Sequence, residues 1–60
     1  MNKPQKYNKK GLQYVVSQTD LGWRCIITGK GATGYGWAPR KEDAVIAAET
    51  DWNMSAGEAL

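Results

Sequence analysis

The chain has 60 residues and a net charge of +2, which makes one domain at most, with too little length for a large core. A single cysteine, Cys25, and no histidine exclude an internal disulfide and a zinc site, so the fold holds by packing alone or by pairing with a second copy as a homodimer. The charge is uneven: Lys3, Lys6, Lys9 and Lys10 crowd the beginning, Arg24, Lys30, Arg40 and Lys41 follow, and every acid except Asp20 falls at Glu42 or later.

Residues 1–10 are lysine, asparagine and glutamine around Pro4 and Tyr7, and they read as a basic flexible arm. The arm lacks the apolar stretch of a secretory signal, and no segment reaches the length of a membrane span, so a cytoplasmic protein is expected. Residues 11–54 form the expected domain. Leu12, Tyr14 and Val16 alternate with Gln13, Val15 and Ser17, the period of two that marks a strand with one buried face. A turn at Asp20 and Leu21 then sets Val16 opposite Cys25, Tyr14 opposite Ile27 and Ser17 opposite Arg24. That register sorts Tyr14, Val16, Trp23, Cys25 and Ile27 onto one face. Gln13, Val15, Ser17, Arg24, Ile26 and Thr28 fall on the other.

The second strand stops at Gly29, Lys30 and Gly31, and a third runs from Ala32 through Tyr35 and Trp37 to Pro39. Its register has two solutions. A three-residue loop places Tyr35 opposite Cys25 and Trp37 opposite Trp23, with both rings in the core, and the need of so small a domain for apolar area favours it. A two-residue loop slips the register by one and turns both rings onto the face of Arg24, where they would form a stacking surface. From Arg40 to about Asn53 a helical period puts Ala44, Val45, Ala48 and Trp52 on one face and Ile46 away from it. Glu42 and Asp43 suit the positive end of that helix. Residues 55–60 read as a frayed tail. The fold class is therefore α+β: a small three-stranded antiparallel β-meander packed against one C-terminal α-helix (β-β-β-α).

No enzymatic activity is expected from this set of residues. There is no histidine, and the adjacent Glu42 and Asp43 point in different directions on a helix, so no acid–base pair forms. The glycines at 29, 31, 34 and 36 lack the lysine and hydroxyl that would complete a phosphate loop. No cofactor, metal or small-molecule substrate is expected.

The strand Gly22-Trp23-Arg24-Cys25-Ile26-Ile27, its TGK turn, the GxG of Gly34-Tyr35-Gly36 and the alanine-rich Asp43–Ala48 segment together resemble two families of DNA-binding domain. These are the arm-binding domains of phage tyrosine integrases and the plant ethylene-response-type domains. The resemblance implies docking of the open sheet face in a DNA major groove through Arg24, Ile26, Thr28 and Lys30. Gly34, Gly36, Arg40, Lys41, Ala47 and Ala48 are also similar in spacing to the last strand and helix of double-stranded-RNA-binding domains. The strands followed by an EDA-like helix start resemble HicB-type antitoxins, which would imply a toxin protein as partner. The expected function is low-specificity binding of nucleic acid, duplex DNA first, with Lys9, Lys10, Arg24, Lys30, Arg40 and Lys41 neutralising phosphates and Ile26 and Thr28 on the docking face. The alternative is a small protein-binding inhibitor or adaptor, phage- or mobile-element-encoded, using Val15 and Ile26 on the sheet or Ile46 with Glu42 and Glu49 on the helix.

Overall fold

The computed structural model describes residues 3–58; positions 1, 2, 59 and 60, the ends of the expected arm and tail, lie outside the described residues. Four strands, β1 (Gln5–Lys9), β2 (Leu12–Thr19), β3 (Gly22–Gly29) and β4 (Ala32–Ala38), form one antiparallel meander in chain order, followed by a single helix, α1 (Lys41–Glu58). The class is α+β, as the patterning predicts, but the sheet has four strands where three are expected.

The extra strand comes from the segment read as a flexible arm. Gln5–Lys9 has no buried residue, so no hydrophobic period announces it. It is held by its ladder to β2, in register Tyr7 to Tyr14. Those two rings stack with centroids 5.0 Å apart. Lys41 Nζ donates to Gln5 Oε1 at 2.6 Å, and Lys9 Nζ lies 3.7 Å from Glu49 Oε2. Pairing and a few cross-element contacts thus order a stretch whose composition suggests disorder.

The β2–β3 register is the expected one, with Val16 opposite Cys25, Tyr14 opposite Ile27 and Ser17 opposite Arg24. The β3–β4 register is not the favoured one. Trp37 stands opposite Arg24 and Tyr35 opposite Ile26, as the two-residue loop requires. Two observations explain why. Lys30 and Gly31 have φ of 53° and 77°, so both central residues are left-handed, as in the mirror-image turn that matches strand twist; Lys10 and Gly11 repeat the arrangement at 54° and 76°. In addition, α1 rests its backbone directly on β4. A Cβ built on Gly36 would fall 2.3 Å from Ala48 N and 2.4 Å from Ala44 O, and one on Gly34 would fall 2.5 Å from Ala48 O. Only glycine fits on that side, so the rings must take the other, and the demand for apolar area loses to backbone contact.

The core under α1 consists of Leu12, Tyr14, Val16, Cys25, Ile27, Ala38, Ala44 and Ala48, with Trp23, Val45 and Trp52 packed around it. Ala44 and Ala48 are fully buried because small side chains let the helix approach. The helix continues past the Asn53 expected as its end, through Glu58, so most of the expected frayed tail is helical.

Candidate nucleic-acid interface

Because strand side chains alternate and α1 covers one face, the other face of the sheet is open. Cross-strand pairing arranges it in rows. Lys6, Val15, Ile26 and Tyr35 form one row, Ser17, Arg24 and Trp37 a second, and Asn8, Gln13, Thr28 and Thr33 a third. Tyr35 and Trp37 are 61% and 52% exposed, large fractions for rings on a regular strand. Their backbone is firmly held, since Tyr35 N–H donates to Asp51 Oδ2 at 2.8 Å and so ties the outer edge of β4 to the helix. The rings therefore project from a fixed support.

Charge separates across the molecule. The chain has six acidic residues; Asp20 sits in the turn after β2, and the others belong to α1. No strand carries a carboxylate, and the open face carries the cations Lys6 and Arg24. An anionic ligand would meet attraction on the sheet and repulsion at the helix.

The expected contact residues divide accordingly. Arg24, Ile26 and Thr28 lie together on the open face. Lys10 and Lys30 occupy the two mirror-image turns, at the same end of the sheet; a Cβ on Gly11 would lie 3.8 Å from Lys30 Cε. Arg40 is exposed in the bend before α1. Lys9 and Lys41 are on the helix side, as are Lys10 and Lys30 where they line a cleft against α1; Lys9 lies beside Glu49 and Lys41 over the Trp23 ring, 5.7 Å from its centroid. Lys6, Tyr35 and Trp37 are the residues missing from the expected contact set. Lys6 was hidden in the segment read as an arm, whereas the alternation Gly34-Tyr35-Gly36-Trp37 did carry the signal for the two rings.

A comparison with protein-family models, curated proteins and solved structures finds no match to this chain. The residues themselves therefore carry the functional argument.

On the helix side, a cleft of about 310 Å³ opens between the lysine turns and α1, lined among others by Lys10, Lys30, Glu49 and Trp52. Its lysines and its carboxylate oppose each other in charge, and three of its polar groups, on Tyr14, Glu49 and Trp52, are already engaged. Tyr14 O–H donates to Glu49 Oε2 at 2.8 Å, and Trp52 Nε1–H donates to the Gly29 carbonyl at 3.2 Å. Burial and that bond to Glu49 push the Tyr14 hydroxyl up to about 12. Burial, reinforced by the Glu49 charge, also raises the Cys25 thiol, which keeps it a protonated core side chain. Among the described residues there is no cluster of three histidine, cysteine, aspartate or glutamate side chains able to hold a metal, and no helix long and apolar enough to cross a membrane.

Proposed function

We propose that the protein is a low-specificity nucleic-acid-binding module that uses the open face of its sheet. The observation that carries this reading is the combination of Arg24 with the exposed Tyr35 and Trp37 on a face without carboxylates. Arginine serves a phosphate as charge and hydrogen-bond donor, and aromatic rings serve bases by stacking. Lys6 extends the same face, and Arg40 borders it beyond the end of β4, while Lys10 and Lys30 in the turns line the cleft on the helix side. Base-edge reading would take several long polar side chains converging on one groove, and Arg24 is the sole arginine on this face, so contacts to backbone and base faces dominate.

Titration of labelled oligonucleotides by fluorescence anisotropy across a salt series tests the reading. Affinity falls steeply with salt, and Arg24→Ala lowers the slope of log K against log salt by about one. Affinity unchanged in the double variant Arg24→Ala, Lys30→Ala, or insensitive to salt, refutes the sheet face as the binding surface.

One observation favours a second reading, a protein partner. Ile46 and Met54 are 59% and 63% exposed on α1, two turns apart on a surface bearing Glu42. A partner with a basic rim around an apolar patch would suit that surface, and pull-down with Ile46→Asp as the control separates it from binding at the sheet.

A further inference from the structure

The width of the sheet and the direction of its rings narrow the ligand. Four strands place the outermost chains about 14 Å apart before side chains are added, wider than the about 12 Å of a B-form major groove. A groove of that width admits a helix or a two-stranded ribbon, and the flat four-stranded face exceeds it. The rings point the same way. Tyr35 and Trp37 stand two residues apart on one strand, about 7 Å along it, and both project away from the helix. In a duplex the face of each base is covered by its neighbours, which lie about 3.4 Å apart along the strand. Rings at twice that spacing have nothing to stack on unless bases are splayed from one another.

Resting on the nucleic-acid reading above, we infer that the ligand is single-stranded, with two unstacked bases seated on Tyr35 and Trp37, the phosphate that joins them drawn to Arg24, and Lys6 meeting the strand where it continues across the sheet. Arg24 stands directly across from Trp37 on the neighbouring strand and flanks the ring pair, whereas Lys6 ends the Tyr35 row at the opposite edge of the sheet, about 14 Å away. Val15 and Ile26 lie half-buried between Lys6 and Tyr35 and supply an apolar floor rather than hydrogen-bonding groups. Every base offers a π-face, so this arrangement tolerates sequence. The outer edge of β4 is fixed to α1 through Asp51, which holds the ring spacing before the ligand arrives.

Anisotropy titrations with labelled oligo-dT and oligo-rU of about 12 nucleotides, and with a duplex of the same length, test the inference on the full chain. Single strands bind at least about tenfold more tightly than the duplex, and dT against rU shows whether the sugar matters. Trp37→Leu and Tyr35→Leu each weaken single-strand binding about tenfold or more, whereas Trp37→Phe keeps most of it, because leucine retains apolar area but not a stacking face. Both positions are exposed, and unchanged thermal melts of the variants confirm that the fold is intact. Duplex bound as tightly as single strand, or Trp37→Leu binding like Trp37→Phe, overturns the stacking inference while leaving nucleic-acid binding in place. Failure of all three ligands at low salt overturns both.

Discussion

Gly36→Ala is the most direct probe of the packing that exposes the two rings. The added methyl would meet Ala48 N at 2.3 Å and Ala44 O at 2.4 Å, where ordinary contacts begin at 3.4 Å. Both opposing atoms are backbone, so no rotamer change relieves the clash, and α1 must retreat from β4 by about 1 Å along its contact line. That movement opens space beneath Ala44 and Ala48, both fully buried, and above Cys25 and Ile27. Overpacking of this kind costs about 1–3 kcal/mol, and the rigid neighbours place Gly36 at the upper end. A domain of 60 residues has only about 3–9 kcal/mol to lose. With an m-value of about 1 kcal/mol/M in urea, the midpoint falls by about 3 M or the protein no longer folds. Urea titration followed by tryptophan fluorescence reads this, with Gly57→Ala as the control. Gly57 is in the helix with open space around its Cβ, so alanine there raises stability by about 0.5–1 kcal/mol. A Gly36→Ala variant with an unchanged midpoint would refute the reasoning and with it the register, since Tyr35 and Trp37 could then occupy the core side.

Other outcomes follow from the same contacts. Tyr14→Phe removes the hydroxyl donor to Glu49 and costs about 1 kcal/mol near neutral pH in urea unfolding. The folded Tyr14 keeps its proton to about 12 whereas the unfolded side chain releases it near 10.0, so this contribution is complete below the lower value and is lost as pH rises between the two. The raised Cys25 thiol acts in the same direction, beginning near its ordinary value of 9.0. Midpoints measured from about pH 7 to about pH 11 therefore fall on the alkaline side in the parent, and less so in Tyr14→Phe. Lys30→Asn places a residue tolerant of left-handed backbone where φ is 53°, and it raises stability by up to about 1 kcal/mol; a loss instead would contradict the mirror-image turn. The same variant weakens oligonucleotide binding if Lys30 meets phosphate, and measuring both quantities on one sample separates the two effects.

Periodicity made the β2–β3 hairpin legible in the sequence. Leu12, Tyr14 and Val16 alternate with polar neighbours, and Asp20-Leu21-Gly22 marks the turn, so both faces and the register follow. The helix face was legible through Ala44, Ala48 and Trp52, although its end was not, because the residues after Asn53 carry neither a strong stop nor a strong period. β1 was hidden for a physical reason: its stability comes from backbone pairing and from Tyr7 on Tyr14, neither of which leaves a hydrophobic pattern in Gln5–Lys9. Apolar area alone favours the wrong β4 register, because the close approach of the helix backbone to Gly34 and Gly36 outweighs it. Glycine at both 34 and 36 was the available sign, since two such positions on one face leave room for a backbone and nothing larger.

That glycine pair joins the packing of the helix to the character of the open face. In a strand the register has only two outcomes for each side chain, and the sequence Gly34-Tyr35-Gly36-Trp37 makes them unequal. With the glycines toward α1, the helix backbone seats against β4 and both rings face outward. A slip of one residue would drive a tyrosine and a tryptophan into positions where even a methyl group lies 2.3–2.5 Å from backbone atoms. The two-residue turn at Lys30 and Gly31 imposes the same choice from the other end of the strand. Two independent constraints therefore converge on exposure of the rings, and neither acts by contact between the rings and the rest of the fold. Tyr35 and Trp37 are thus free to vary in chemistry without disturbing the core, which is the condition under which a surface can be specialised for a ligand.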